Sequence, residues 1–284
     1  MSVAFQTITK SAPVISGATL LKWSQSIGFT ILKVAAYVIG VGLVWQLIYL
    51  LMVQVWKIWI EALFPAPLSV VESLTDHIAD GSLWRAASAS LLRLFFGFGI
   101  SLPLGVILGM GLAGSRWVKR VLGPIVLGFQ ALPSVCWIPL SILWFGLNER
   151  AIIFVIVMGS VFSITIATFD STKLIPPLQI RAARNMGVRG WALFRRVVFP
   201  SALPAIISGA RQGWSFAWRS LLGGELLTAG IGLGNLLNMG RDLTDMALVM
   251  AVMVVIIALG LLIDLLVLTR VEVFIRRRYG LVGV

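Results

Sequence analysis

The stretch MALVMAVMVVIIALGLLIDLLVL, residues 246–268, carries a single charged side chain, Asp264. A helix that crosses a bilayer needs about 20 mostly apolar residues, so this stretch predicts a membrane span. The whole chain has the same character: of its 284 residues 59% are hydrophobic and 12% are charged, and its mean hydropathy is +0.99. A soluble domain carries about 25% charged residues. The sequence therefore predicts a protein whose main solvent is lipid.

Further apolar segments have the length of spans, although some contain polar or helix-breaking residues. Together they predict about six spans, at 28–53, 88–112, 121–146, 151–169, 201–226 and 246–268. The third span contains Pro124, Pro133 and Pro139, which predict kinks or unwound turns. The fifth span is the most polar. The predicted fold class is an all-α integral membrane protein.

The charges between the spans predict the orientation of the chain. Fifteen basic residues fall on one side of the membrane and four on the other, and the fifteen lie in 1–27, 113–120, 170–200 and 269–284. Basic segments stay in the cytoplasm, so both termini are predicted to be cytoplasmic. The predicted organisation is a cytoplasmic segment 1–27, a transmembrane domain 28–268 that contains the loop 170–200, and a basic tail 269–284. This bias and contact with anionic lipids explain the net charge of +12 better than nucleic-acid binding does.

Two smaller features of the sequence limit the functions that the chain can have. Residues 68–79 place apolar side chains at helical spacing opposite Glu72 and Asp76, which predicts a short amphipathic helix on the outer membrane surface. The single histidine and the single cysteine, His77 and Cys136, exclude a zinc-type cluster and an intrachain disulfide. We also find no set of residues placed for catalysis.

The cytoplasmic loop 170–200 reads DSTKLIPPLQIRAARNMGVRGWALFRRVVFP. Its proline pair can open a helix, which Leu178 to Met186 continue. Gly187 permits a sharp reversal or a left-handed cap. A second short helix follows, and Pro200 is predicted to close it. The loop should therefore form two short helices bent at a glycine.

This bent pair of helices suggests a docking surface for a separate protein. Ala182 and Ala183 leave a smooth ridge that a groove in a partner can admit, and the flanking arginines can pair with acidic groups of that partner. The pattern alone is equally consistent with an amphipathic hairpin that anchors the loop at the membrane surface.

Residues 181–200 resemble the EAA loop in permease subunits of binding-protein-dependent ABC importers. That pattern runs Glu-Ala-Ala, three residues, Gly, nine residues, then Ile-x-Leu-Pro. In this chain the matching positions are Ala182, Ala183, Gly187, Val197 and Pro200, whereas Arg181 stands for the glutamate and Phe199 for the leucine. An arginine at that position is common in the nitrate, sulfonate and taurine branch. The resemblance to that branch covers about residues 65–270, including IPLSILWFGLNE (138–149), GARQGWSFAWRSLLGGELL (209–227) and SLWRAASASLLRLFFGFGISLPLGVILG (82–109).

The resemblance implies a type I ABC importer permease fold in the bacterial inner membrane. It also implies a helix that couples the permease to its ATPase, with Arg181, Ala182, Ala183, Arg184, Gly187 and Pro200 as its residues. The implied partners are cytoplasmic ATP-binding subunits, a periplasmic or lipid-anchored substrate-binding protein and a second copy of the chain. The sequence contains no G-x-x-x-x-G-K-[ST] loop. We therefore expect no cofactor in this chain and no enzymatic activity of its own, with ATP and Mg²⁺ bound by the partner.

Ionisable groups at membrane depth are candidates for a translocation path. On the fifth span these are Arg211 and Arg219, which lie two turns apart and near one face, together with Gln212, Trp214, Trp218 and Glu225. A path lined by arginines suits an anionic substrate. The alternative is that pairs such as Arg219–Glu225 or Arg211–Asp264 hold helices together. Weaker path candidates are Gln130, Ser134, Asn148, Ser160 and Ser163.

Two further features of the second span have structural interpretations. Arg93 lies early in the span, where it can snorkel or bind a lipid phosphate. Gly105, Gly109 and Gly111 form a face of small residues, which indicates helix packing or dimerisation.

The favoured hypothesis is the transmembrane subunit of an ATP-driven importer of a small oxyanion such as nitrate, a sulfonate, taurine or bicarbonate. An alternative is a secondary transporter driven by an ion gradient, for which two inverted halves with discontinuous helices would be expected. The sequence shows no such symmetry. A membrane scaffold or enzyme is a third possibility, against which the missing catalytic set argues.

Overall fold

The computed structural model describes residues 33, 36–37, 39–228 and 230–279. The predicted segment 1–27, the start of the predicted first span and the last residues of the basic tail lie outside these ranges. The chain divides into two compact units, residues 1–67 and 68–284. Within the described residues the secondary structure is helical and contains no β-strand.

The first unit contains one apolar helix, α1 (Ile39–Val55), which is shorter than a full span. The segment that follows it folds back onto the helix. The Tyr49 hydroxyl donates a hydrogen bond of 2.9 Å to Glu61 Oε1, and the Phe64 ring centroid lies 6.4 Å from that of Trp45. These contacts fix the short connection that leads into the second unit.

The second unit holds the remaining helices. They are α2 (Pro67–Ala79), α3 (Ser82–Gly114), α4 (Arg116–Ala131), α5 (Ile138–Phe145), α6 (Glu149–Lys173), α7 (Pro177–Asn185), α8 (Gly190–Leu227), α9 (Leu233–Asp242) and α10 (Met246–Arg278). In the described part of the chain, α3, α6, α8 and α10 are each long and apolar enough to cross a membrane, and α4 with α5 adds a fifth if the pair counts as one span. The all-α membrane class and the helix α2 are confirmed. The total of six spans and the placement of both termini in the cytoplasm stay predictions.

The predicted interruption of the third span lies at Pro133. Here α4 and the short 3-10 turn that precedes α5 meet at a bend of 103°. Leu132 takes an extended conformation, with φ −75° and ψ 123°, because a following proline disfavours the helical region. Pro124 lies inside α4 and Pro139 lies in the first turn of α5, so neither breaks a helix.

The prediction that Pro200 closes a separate helix is wrong. The helix α8 continues from the loop into the membrane through Pro200, with a π-helical turn at Phe194–Val198 just before it. Proline lacks an N–H and its ring crowds the carbonyl four residues earlier. The widened turn accommodates that defect without ending the helix. The second half of the loop is therefore the first part of a spanning helix.

The core forms where α6 packs against both α3 and α8. Glycines allow the close approach of α3: a Cβ added at Gly105 would lie 2.7 Å from the Cβ of Ile164, and one added at Gly109 would lie 2.5 Å from the carbonyl oxygen of Thr165. Gly111 has nothing within 4 Å of such a Cβ. Two of the three predicted glycines thus pack helices within the chain.

Candidate functional site

The helix α7 ends in a turn that requires its glycine. Gly187 has φ +83°, a conformation that other residues adopt only with strain. The Val188 N–H donates to the carbonyl of Ala183 at 3.0 Å, and the Gly187 N–H donates to that of Arg184 at 3.0 Å. This pair of bonds is a Schellman motif, which reverses the chain directly after a helix. The predicted left-handed cap is confirmed.

The outer face of α7 presents an exposed apolar stripe. Leu178 and Met186 are each 76% exposed, and Ala182 lies between them and is also exposed. Ala183 is only 3% exposed. The prediction that both alanines form the outer ridge is therefore wrong for Ala183, because neighbouring residues on a helix point about 100° apart.

The inner face of α7 is attached to two spanning helices. Ile180 and the preceding Ile175 pack with Met110 of α3 and with Ala202 and Ile206 of α8. Apart from these apolar contacts, α7 and α8 share a hydrogen bond from the Ser201 hydroxyl to the Gln179 side chain, 3.3 Å long. A displacement of α7 would therefore be transmitted to both spans.

The arginines around this stripe are available to a partner. The exposed ones are Arg181, Arg184, Arg189, Arg195 and Arg196. None of them forms an ion pair with another residue that the structure describes. Nearby, Trp191 is 73% exposed and stacks on Phe194, with ring centroids 4.9 Å apart.

The predicted path residue Glu225 is part of a buried ion pair. Its side chain is 1% exposed, and Oε1 lies 2.9 Å from Nη1 of Arg93. Ser90 Oγ donates to the same carboxylate at 2.8 Å, and the Gly234 N–H donates to it at 2.9 Å. Arg93 also contacts Glu149 of α6 at 3.0 Å.

This network corrects three expectations. Arg93 does not snorkel to the surface, because its guanidinium is held inside by two carboxylates. Glu225 pairs with Arg93 rather than with Arg219, and it does not line the cavity beside Arg219. The network ties α3, α6 and α8 to the start of α9.

The charged residue Arg211 is also paired. Its Nε donates to Asp264 Oδ1 at 2.7 Å, and its Nη1 donates to Glu272 Oε2 at 3.1 Å. Glu272 in turn accepts a hydrogen bond from the Ser208 hydroxyl at 2.8 Å. The predicted alternative, an Arg211–Asp264 pair that holds helices together, is confirmed, and it joins α8 to α10.

The two tryptophans of α8 pack against neighbouring helices. Trp214 is 4% exposed, and its ring centroid lies 5.3 Å from that of Phe95 and 5.1 Å from that of Phe98 on α3. Trp218 is partly buried in the same cluster, and Gln212 is exposed on the surface of α8. None of these three predicted path residues lines the cavity beside Arg219.

Arg219 borders a cavity of about 360 Å³ at the bend between α4 and α5. Three of the weaker candidates, Gln130, Ser134 and Ser163, line the same cavity. The Ser163 side chain is buried, and its hydroxyl has no hydrogen-bond partner among the described residues. The Arg219 guanidinium lies 5.6 Å from the Phe216 ring centroid and, in the described chain, pairs with no carboxylate. The structure thus gathers a cation and hydrogen-bonding groups around one space.

The other two weaker candidates have structural contacts. Ser160 donates to the hydroxyl of Ser101 at 2.8 Å, which links α6 to α3. The Asn148 side chain accepts from the Arg150 N–H at 2.9 Å and caps α6.

Sequence reasoning did not identify Ser90 or Gly234 as partners of Glu225. Ser90 precedes Glu225 by 135 residues, and no local pattern indicates the contact. The aromatic wall of the cavity, which includes Phe129, Phe162 and Phe216, was likewise not predicted.

Comparison with known proteins places this arrangement among transport proteins. The family described as "binding-protein-dependent transport system inner membrane component" matches residues 101–278. The chain is 33% identical over 240 residues to the putative aliphatic sulfonates transport permease protein SsuC of Escherichia coli K12, covering 82% of this chain and 88% of the relative. It is 28% identical over 206 residues to the taurine transport system permease protein TauC of the same organism, covering 71% and 75%.

The fold also matches a solved structure. An inward-facing conformation of the MetNI methionine ABC transporter superposes with a TM-score of 0.57 at 24% sequence identity. The match covers 68% of this chain and 94% of the other. At that identity the likeness concerns the fold alone.

Proposed function

The chain belongs to the family of binding-protein-dependent transport system inner membrane components, and from that membership we propose that it couples ATP hydrolysis in a partner to the import of a sulfonate-type oxyanion. It is a permease subunit of an ABC importer, a multi-pass protein of the bacterial inner membrane and not itself an enzyme. The family implies ATP-binding subunits and a substrate-binding protein as partners. In the proposed assembly two copies form the pathway, and ATP and Mg²⁺ are bound by the partner subunits.

The observation that carries this proposal is the attachment of α7. Its outer face offers Leu178, Ala182 and Met186 to a partner, whereas Ala183 packs inward. Its inner face is fixed to both α3 and α8. A helix that is exposed on one side and fixed to two spans on the other can convert the movement of a docked subunit into movement of those spans. Exposed arginines beside the stripe suit acidic groups on that subunit.

The coupling role is tested by matched substitutions at two exposed leucines. Leu178→Glu places a charge within the apolar stripe of α7, and Leu243→Glu makes the same change at the end of α9. We expect Leu178→Glu to weaken co-purification of the ATP-binding subunit at least about tenfold, since it replaces an apolar contact in the interface with a charge that must lose its water. Leu243→Glu should leave co-purification intact. If both variants retain the subunit equally, α7 is not the docking helix.

The anionic nature of the substrate is supported by Arg219. It is a cation at membrane depth without a carboxylate partner in the described chain, and it shares a cavity with the unpaired hydroxyl of Ser163. A sulfonate or similar oxyanion would accept hydrogen bonds from both groups. The names of the two relatives, an aliphatic sulfonates permease and a taurine permease, agree in chemical class with such a ligand.

The substrate proposal is tested by import of labelled taurine and methanesulfonate into proteoliposomes that contain the ATPase and the binding protein. A hydrogen bond to a charged group contributes about 1.5–3 kcal/mol, so Arg219→Gln should reduce import by about tenfold to a hundredfold. Arg219→Lys should retain a large part of it. The control is Arg241→Gln, which removes an exposed arginine whose ion pair among the described residues is with its neighbour Asp242.

Two outcomes would contradict the proposal. Import by Arg219→Gln at the wild-type rate would exclude Arg219 from the path of the anion. Import that persists in ATP-depleted vesicles under an ion gradient would favour the secondary-transporter alternative.

A further inference from the structure

A second and larger cavity, of about 650 Å³, lies between α4 and α6 at the end of the molecule that is predicted to be cytoplasmic. Its wall includes four basic side chains, namely Arg116, Lys119, Arg120 and Lys173, and one acidic side chain, Asp170. Asp170 is already engaged by Lys173, with Nζ and Oδ1 2.7 Å apart. Three of the four cations therefore have no carboxylate partner among the described residues.

Two of the cations in this cavity lie near one aromatic ring, that of Phe169. Lys173 Nζ lies 4.1 Å from the centroid of Phe169, and Lys119 Nζ lies 5.4 Å from the same centroid. Both lysines are cations, and the single carboxylate of the wall, Asp170, is bonded to Lys173 alone. An anion in the cavity would offset the positive charge that remains.

The two cavities follow one another along the same pair of helices. The basic cavity is lined by residues of α4 up to Leu127 and by residues of α6 from Ile166 onward. The cavity beside Arg219 is lined by residues of α4 from Phe129 onward and by residues of α6 up to Ser163. An anion that leaves Arg219 toward the predicted cytoplasmic side would therefore meet the basic cavity next.

We propose that the basic cavity between α4 and α6 is a second binding site for an oxyanion group, a sulfonate or a phosphate. The inference rests on the proposed function, because the cavity follows the one beside Arg219 along α4 and α6 toward the predicted cytoplasmic side, where the imported anion would leave. The same chemistry also fits the phosphate of an anionic lipid. Arg116, Lys119, Arg120 and Lys173 would supply the positive field, and the Phe169 ring would hold the two lysines in place.

The site is tested by the reactivity of a cysteine placed in its wall, which does not depend on transport. Gly123 lines the cavity, and a Cβ added there meets only Lys119 Cγ, at 4.0 Å, so Gly123→Cys fits without strain. The exposed native cysteine is removed by Cys136→Ser. The full-length protein in phosphatidylcholine nanodiscs is then treated with an anionic reagent, sulfonatoethyl methanethiosulfonate, or a cationic one, trimethylammoniumethyl methanethiosulfonate. Leu127→Cys provides a second position in the wall.

We expect the positive field of the cavity to speed the reaction of the anionic reagent relative to that of the cationic reagent. Replacing Lys119 and Lys173 with glutamine should lower the ratio of anionic to cationic reaction rates by about tenfold at low salt and by less at about 0.15 M salt, where the Debye length is about 8 Å. Arg195→Gln removes an exposed cation that does not line the cavity, and the ratio should then stay unchanged. A ratio that is insensitive to Lys119 and Lys173 at both cysteine positions would overturn the proposal.

Two additions identify the source of the oxyanion. Methanesulfonate, compared with chloride at equal ionic strength, should slow the reaction of Gly123→Cys with uncharged methyl methanethiosulfonate at least about twofold if the ligand is a free solute, a change well above the effect of screening alone. Phosphatidylglycerol in the nanodisc should slow it instead if the ligand is a lipid phosphate. Either result upholds an oxyanion site, and protection by neither overturns it. If the proteoliposomes import no sulfonate while methanesulfonate or phosphatidylglycerol still slows the reaction of Gly123→Cys, the proposed substrate is refuted but the site is not.

Discussion

Replacing Glu225 with alanine is expected to destabilise the protein much more than replacing Glu149, the other carboxylate that contacts Arg93. The Glu225 side chain is 1% exposed and that of Arg93 is 7% exposed, so the substitution leaves a buried guanidinium without its inner partner. Removing one member of a buried pair costs about 3–5 kcal/mol. The remaining partner of Arg93, Glu149, is 72% exposed and its charge is screened by water. It contributes about 0–1 kcal/mol.

The loss of stability can be measured by thermal unfolding of the protein in nanodiscs. For chains of 150–250 residues, 1 kcal/mol shifts the melting temperature by about 2–4 °C, so Glu225→Ala should lower it by about 10 °C. Glu149→Ala should lower it by no more than about 4 °C. The double variant Arg93→Met/Glu225→Gln buries no charge, and it keeps an acceptor for Ser90 and Gly234. We expect it to recover at least half of the loss.

Two results would contradict this prediction. If Glu225→Ala and Glu149→Ala melt at the same temperature, the buried pair contributes no more than an exposed one. If the double variant is less stable than Glu225→Ala, the cost lies in lost packing or hydrogen bonds rather than in the unpaired charge of Arg93.

Three further predictions concern the helix contacts. Gly105→Ala forces a Cβ to within 2.7 Å of Ile164 and should cost about 1–3 kcal/mol by thermal unfolding, whereas Gly111→Ala meets open space and should be neutral or stabilising by up to about 1 kcal/mol. Gly187→Ala should destabilise the turn after α7 by about 1–2 kcal/mol because of its φ of +83°, and faster proteolysis of the 176–190 loop would reveal it. Arg211→Gln should loosen α10 from α8 and increase hydrogen exchange in residues 264–278, whereas Arg241→Gln should leave that exchange unchanged.

The parts of the fold that were predictable from the sequence depend on local chemistry. Apolar length indicates the spans, because a backbone in lipid must satisfy its own hydrogen bonds within a helix. Pro133 places the break between α4 and α5, and Gly187 places the turn after α7, since both act on their own backbone. Pro200 was misjudged because the effect of a proline also depends on the turn before it, and here that turn widens.

The ion pairs were harder to predict, because they depend on which helices become neighbours. The suggested Arg219–Glu225 pair fails on helix geometry alone: residues six apart lie about 120° apart around the axis. The actual partner, Arg93, is 132 residues from Glu225. Arg211–Asp264 was anticipated because two opposite charges inside separate spans are costly unless they meet.

The ion pairs separate the arginines that hold helices together from the cations that have no carboxylate partner in the described chain. The structure gives Arg93 two carboxylates and gives Arg211 two more, and both arginines hold spanning helices together. Arg219 has no such partner in the described chain, and it is exposed, whereas Arg93 is buried. A chain that compensates its structural arginines in this way leaves Arg219 to be compensated from outside, by water or by a passing anion. The next cations without a carboxylate partner in the described chain lie at the start of α4 and line the basic cavity, namely Arg116, Lys119 and Arg120, so the charges that the fold leaves unpaired trace a route from Arg219 toward the predicted cytoplasmic side.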